Sequence, residues 1–316
     1  MHNKETANNR FTKPPQIPDR LRRRYPPFPN RRVKPYPFPN PMPMEGRKRV
    51  TICIAAICDG GKSIVSVSDE RVSTEETSAD TLTKCDFILD GNWLTMFAGD
   101  VSDATALYRK IDQPSSTKGN DLGAVVGACE AAYWELVSGD AAAKVLAPLN
   151  LTLNQFLDSK LPDIVFDRLV TEIQHHQLTR NPSCLLTTGF DAEGHSHLFT
   201  INHLSEIHYA DRIGFAAIGS GSPSSLSDLY FHKYRAELPY EEALYRVLSA
   251  KFMSERASGV GDTTLVMLIR KNVPVIMPEN DQTEAIREMW EQEGCARLPE
   301  HYRERVKEIL RTSSSP

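Results

Sequence analysis

Cysteine is sparse and unpatterned in this 316-residue chain: Cys53, Cys58, Cys85, Cys129, Cys184 and Cys295 include no CxxC pair and no regular spacing. That argues against a disulfide framework or a zinc site as the organising element, and it makes a reducing cytoplasm the expected location. Long apolar runs are missing as well. None approaches the roughly 20 residues that a membrane-spanning helix needs. The charged, proline-rich N-terminal segment has no apolar stretch of the secretory kind. Neither membrane insertion nor secretion is expected, and no internal repeat is evident.

What the chain does have is unevenly distributed. Residues 1 to 50 hold 13 Lys or Arg against 3 Asp or Glu and contain 11 of the 21 prolines, whereas the remainder carries 24 basic against 38 acidic residues. The alternating prolines of "PYPFPNPMP" prevent helix and ladder pairing, so the segment reads as a disordered basic tail or propeptide. Its arginines (Arg22, Arg23, Arg24, Arg31 and Arg32) alternate with Tyr25, Phe28, Tyr36 and Phe38. Such a pattern can contact nucleic acid by phosphate attraction and stacking, or a proline-recognising domain. It equally suits a solvated linker, a discarded propeptide, or a stretch upstream of a start at Met44.

Beyond the tail, apolar runs at 51–58 and 64–69, and again at 85–89 and 93–98, are separated by Asp-Gly-Gly and Asp-Gly-Asn, which predicts two hairpins. Helices are expected over 101–111, over 121–146 with an Asn120 or Asp121 cap, and over 152–175 with a break at Pro162. Strands at 184–190, 197–201, 207–209 and 213–218 follow. Helices within 222–234 and 238–255, a strand within 263–271 and a broken helical tail over 282–310 complete the pattern. This order predicts an α+β fold: a four-layer αββα sandwich of two antiparallel sheets with helices on both outer faces. Residues 51–316 then form one domain, with a helical insertion at about 147–183 and a C-terminal helical extension at about 273–316.

Several segments carry chemistry-bearing residues in a set order: "SDER" closing the first hairpin, "KCDFILDGNWLTMFAGDVSDA", "AAIGSGSPSS", and "LPYEEALYRVLSAKFMSERASG". Together they resemble the proteasome-type N-terminal-nucleophile hydrolases, the proteasome subunits and the bacterial peptidase partner of an ATP-driven unfoldase, over most of residues 51–272. The resemblance implies a first-residue nucleophile whose own α-amine is the base, and Thr51 is the candidate. It implies Lys84 beside the hydroxyl, Asp69 orienting that lysine, and the Gly99 amide as oxyanion donor. Ser220, Glu255 and Ser258 would form the hydrogen-bond network around the amine, with Arg71 and Gly221 in support. No metal or organic cofactor is implied; a homo-oligomeric ring, a peptide or other amide substrate, and an ATP-driven unfoldase partner are.

Strict alignment of the Asp-Gly turn puts Val50 at the nucleophile position, and a one-residue shift puts Thr51 there. Loss of an initiator methionine would not expose Thr51, because the nearest one upstream is Met44 and its removal exposes Glu45. Thr51 must be released by self-cleavage or by another protease. If it stays internal, the chain reads as a silent ring scaffold or interaction protein; a small-molecule amidohydrolase of the same fold is a third reading. His195 and His197 share one face of a strand, suited to a metal or to a solvated hairpin edge, but no third ligand follows at useful spacing. His175 and His176 suit a helix C-terminus, and Cys53 and Cys58 suit a core.

Overall fold

Strand β1 (Ile52–Cys58) is buried at every position, because both its faces are covered. Ile52, Ile54, Ala56 and Cys58 pack toward helices, while Cys53, Ala55 and Ile57 pack toward a second sheet. This explains why the segment is a continuous apolar run and not an alternating one: period-2 side-chain direction sends alternate residues into two different cores. The computed structural model describes residues 51–73, 78–80, 83–89, 93–112, 121–159, 161–202, 205–257, 260–293, 298 and 300–312. The basic tail lies outside them, and so do Val50, the expected cap Asn120 and Cys295.

The first sheet orders its strands β10-β1-β2-β11-β12, where β2 is Ser63–Asp69, β10 Phe215–Gly219, β11 Thr264–Arg270 and β12 Val273–Ile276. The second runs β5-β6-β7-β8-β9, comprising Cys85–Ile88, Trp93–Ala98, Cys184–Phe190, Ser196–Ile201 and Ile207–Tyr209. A separate two-stranded ribbon pairs β3 (Arg71–Ser73) with β4 (Ser78–Asp80). All these pairings are antiparallel.

Helices α1 (Val101–Ile111) and α2 (Leu122–Leu146) cover the outer face of the second sheet, where Trp93, Phe97, Leu185 and Phe199 meet Leu107, Val125, Cys129 and Tyr133. The short α3 (Leu153–Leu157) and α4 (Asp163–Thr179) follow, and Phe156 with its stacked neighbour Phe166 packs against Ala142 and Leu146 of α2. Thr152 and Gln155 form a reciprocal capping box at α3, so that segment starts where the sequence indicated.

On the other side, α5 (Ser222–Phe231), α6 (Tyr240–Ser254), α7 (Asn280–Glu293) and α8 (Arg303–Thr312) cover the first sheet. Helix α6 is the central one, and burying each of its Leu or Val side chains contributes about 1.5–3 kcal/mol. The result is the expected α+β sandwich: two five-stranded antiparallel sheets face to face, with helices on both outer faces.

Three local expectations change. The strand expected from Ile213 begins at Phe215, because Ile213 and Gly214 both donate backbone hydrogen bonds to Ala210 O in a turn. Strand β12 was not expected; Pro274 argues against a central strand, but β12 is at the sheet edge, where a missing N–H is tolerated. The ribbon β3–β4 was also missed, being only three residues a side. No helix among the described residues is long and apolar enough to cross a membrane.

Candidate active site

Thr51 lies immediately before β1, at the end of the first sheet where β1, β2 and β10 meet. Its backbone is fixed by that position. Gly221 N donates to Thr51 O at 3.3 Å, and the pairing of Ile52 with Gly219 brings β10 directly alongside. Gly219 is required for this approach: it has φ +101°, and a Cβ there would fall 2.1 Å from Thr51 O.

Asp69 ends β2 and is wholly buried. Its two carboxylate oxygens accept three hydrogen bonds: Oδ1 from Ile52 N at 3.0 Å and Lys84 Nζ at 2.9 Å, and Oδ2 from Gly261 N at 3.1 Å. Lys84 precedes β5, and its carbonyl accepts from Phe97 N, which docks that end of the second sheet. From there its ammonium reaches across to the first sheet and donates to Thr51 Oγ1 at 2.5 Å. Thr51, Asp69 and Lys84 are all nearly inaccessible, at 3%, 0% and 2% exposure. A buried cation so placed is balanced by Asp69 and uses a further donor on an oxygen that is neutral as a hydroxyl. Forming an alkoxide at that oxygen would be stabilised by a pre-positioned positive charge in a weakly screened setting.

Ser220 supplies the contact to the nitrogen. Thr51 N donates to Ser220 Oγ at 3.3 Å, and that hydroxyl lies 3.5 Å from Thr51 O, so one side chain holds both ends of the Thr51 backbone. Gly221 is closely surrounded; a Cβ would meet Ser254 Cβ at 3.0 Å and Ile52 Cβ at 3.1 Å. Gly99 follows β6 with φ +140°, and a Cβ there would fall 2.5 Å from Ser183 Oγ. Half-buried, it makes the turn between β6 and α1. Asp100 then caps α1, its carboxylate accepting from Ser102 N and Asp103 N.

Glu255 enters at one remove. Its carboxylate is bound by Lys251 Nζ and by Arg287 from α7, the latter through two contacts of 2.6 and 2.8 Å. Lys251 is fully buried and also donates to Gly261 O at 3.0 Å and Asp262 O at 2.9 Å. Arg287 adds a bond to Asp262 O at 2.9 Å. Glu255 therefore acts on the loop whose Gly261 amide holds Asp69. Burial lowers the Lys251 pKa, with Glu255 opposing that effect and Arg287 reinforcing it.

Sequence reasoning missed Gly219, Gly261, Lys251 and Arg287. The detectable signal was Lys251 followed four residues later by Glu255, the spacing at which two side chains meet on one face of a helix. Ser258 lies outside the described residues. For Arg71, only the backbone, in β3, is described.

The His195–His197 hairpin is a charge cluster and not an open ligand set. Nδ1 of His197 is 2.9 Å from Asp211 and Nε2 is 3.1 Å from Asp191, so both ring nitrogens are engaged. Asp191, Glu193 and His195 do bring ligand-type atoms within 4.8 Å of one another. However, Asp191 already accepts from Gly194 N, His195 N and His197, while Glu193 and His195 are exposed. Burial lowers the His197 pKa, but the two carboxylates outweigh it, and the net shift is upward. Burial likewise raises that of Asp191, and hydrogen bonds from His197 and two backbone amides reverse the effect, so it ends well below the usual carboxylate range.

No family model matches the chain. No curated protein matches it either. Among solved structures it is similar to the Anbu (Gly-1) mutant from Hyphomicrobium sp. strain MC1, at 13% identity over 77% of this chain and 94% of that one, with a TM-score of 0.56. It is also similar to Anbu (ancestral beta-subunit) from Yersinia bercovieri, at 16% identity over the same shares, with a TM-score of 0.54. At such identities the likeness shows a shared, proteasome-like fold alone.

These findings correct the family assignment that the sequence motifs suggested. The structures found similar are named Anbu, not proteasome subunits or the bacterial peptidase partner of an unfoldase, and no family model supports those assignments. The physical reason lies in the motifs themselves. A turn glycine such as Gly99 or Gly219, and charged residues such as Asp69 and Lys84 at strand ends, are demands of the backbone and strand-end geometry just described. They mark a fold more than a lineage.

Proposed function

We propose that the chain is an N-terminal-nucleophile hydrolase of proteasome-like fold that cleaves a peptide or other amide bond, with Thr51 as nucleophile once residues 1–50 are removed. The observation that carries this reading is the 2.5 Å contact from Lys84 Nζ to Thr51 Oγ1, made by an ammonium already balanced by Asp69. Release of Thr51 would convert its amide nitrogen, already beside Ser220, into the free amine that takes the hydroxyl proton. The hydroxyl oxygen then attacks the substrate carbonyl, and in this reading the Gly99 amide receives the developing oxyanion. The tetrahedral intermediate collapses as its C–N bond breaks, and the amine half of the substrate leaves with the proton that the Thr51 amine had taken. Water then hydrolyses the ester on Thr51, releasing the acid half and restoring the hydroxyl.

The silent-scaffold alternative is favoured by one observation. At 3% exposure Thr51 offers little surface to a substrate, and while peptide-bonded to Val50 its nitrogen cannot act as a base. Assembly into a homo-oligomeric ring belongs to either reading and is supported by apolar side chains exposed on the outer helices, Trp134, Ile164 and Leu178 among them. An unfoldase partner would accompany the proteolytic reading only.

The test is intact mass with N-terminal sequencing of the native chain, followed by peptide and amide hydrolysis by parent and Thr51→Ala. A chain beginning at Thr51, with hydrolysis abolished in the variant, supports the enzyme. A chain that retains Val50 in a fully assembled particle supports the scaffold.

A further inference from the structure

At the opposite end of β1 from Thr51, about 20 Å away at the usual strand rise, three turns converge on a cleft of about 640 Å³. They are the β1–β2, β7–β8 and β11–β12 connections, and they place Lys62, Arg270 and Lys271 in its lining. The rest of the chain beyond the tail is acidic, yet among the described residues none of these three side chains is in an ion pair, and the lining holds a single carboxylate, Asp59. Among the described residues, neither the Lys62 ammonium nor the Arg270 guanidinium forms a hydrogen bond or ion pair; Lys62 N, by contrast, donates to Cys58 O at 3.2 Å within the turn. Lys271 donates only to a carbonyl, Ala192 O, at 3.1 Å.

The acids nearby are committed elsewhere. Asp59, in the same lining, accepts from Ser63 Oγ at 2.7 Å with one oxygen and from Tyr240 N at 3.1 Å with the other, the second bond capping α6. Asp191 is taken by His197 and by backbone amides, and Glu193 does not line the cleft. The guanidinium carbon of Arg270 sits 4.4 Å from the centroid of the Tyr240 ring, a cation–π contact that uses none of its N–H donors. An arginine, two lysines and an absence of paired carboxylate favour an anion with several oxygens.

We propose that this cleft is a binding site for a small polyanion, whose phosphate or carboxylate groups are held by Lys62, Arg270 and Lys271. It is separate from Thr51 and does not depend on hydrolysis.

The test is calorimetric titration of the full-length chain at low ionic strength with inorganic pyrophosphate in one arm and citrate in the other. The basic tail's contribution is common to parent and variants, so the comparison isolates the cleft. Arg270→Gln and Lys62→Gln are each expected to weaken binding at least tenfold. Lys110→Gln, on the outer helix α1, removes the same charge elsewhere and is expected to leave binding unchanged. Selectivity between the probes assigns phosphate or carboxylate as the natural group. Lys62 lies on an exposed turn, so its variant keeps the test decisive if Arg270→Gln does not fold. Equal affinity in parent and cleft variants, equal weakening by Lys110→Gln, or no saturable binding of either probe would overturn the proposal.

Discussion

Two basic side chains in this protein are each held by carboxylates, and the difference between them separates a reactive arrangement from a structural one. His197 gives one ring nitrogen to Asp191 and the other to Asp211, and has no donor left. Lys84 gives one hydrogen bond to Asp69, and its ammonium, with three donors in all, can still reach Thr51 Oγ1. The histidine cluster is on a partly exposed hairpin and ties the edge of the second sheet together. The lysine spans the two sheets and is buried where they meet. A basic side chain with every nitrogen engaged by carboxylates stabilises; one with a donor aimed at a hydroxyl can also activate.

The strongest way to break the comparison is Lys84→Ala. It leaves the Asp69 carboxylate buried without its counter-ion, which costs about 3–5 kcal/mol. Urea unfolding should show the loss as a lower midpoint. Any hydrolytic activity attributed to Thr51 should disappear as well, even in the folded fraction. If activity persists in folded Lys84→Ala protein, the ammonium does not activate Thr51.

Backbone approach gives the next effect. In Gly219→Ala the new Cβ would fall 2.1 Å from Thr51 O, and φ +101° is strained for any L side chain. Moving β10 away from β1 should cost about 1–3 kcal/mol. Gly60→Ala makes the matched control. Its φ is also positive, at +64°, but no atom lies within 4 Å of the added carbon, so only the conformational cost remains. Thermal unfolding of the two variants separates close approach from conformation, and Gly219→Ala should have the lower Tm.

The bracing of Asp69 through α7 should give an effect no larger than that. Arg287→Gln removes the paired contact to Glu255 and the bond to Asp262 O, loosening the loop that carries the Gly261 amide. A cost of about 1–3 kcal/mol is expected from losing charge-assisted hydrogen bonds. If Thr51 hydrolyses a substrate, kcat should fall more than KM changes, because the loop positions Asp69 and not the substrate.

The sandwich was legible because its cause is local. Continuous apolar runs such as 52–58 and 184–190 signal strands covered on both faces, and Asp-Gly turns mark the hairpins between them. The Thr51–Asp69–Lys84 constellation was legible only through ordered motifs; nothing in the spacing of Lys84 and Thr51 alone shows that the two sheets bring them into contact. Glu255 was seen as an acid at the end of α6, but its partner Arg287 is 32 residues away on another helix, a pairing created by packing. The same limit hid the polyanion cleft, whose cations come from two turns more than 200 residues apart and have no shared local pattern.

The smallest effect concerns the histidine cluster and its pH dependence. His197 has its pKa raised in the folded state above its ordinary 6.5, so its stabilising contribution is complete below that value and declines as pH rises through the folded-state pKa. Asp191 is shifted the other way, downward from an ordinary 3.8; its contribution is present above that value and declines as pH falls through the folded-state pKa. The pair therefore stabilises most between pH 3.8 and 6.5. Thermal unfolding across that range should give a Tm plateau for the parent, with a decline of a few degrees on the alkaline side. His197→Gln should lower the plateau and flatten that alkaline decline while leaving the Lys84 contact to Thr51 unaffected. An unchanged alkaline limb would mean that His197 is not the group titrating there.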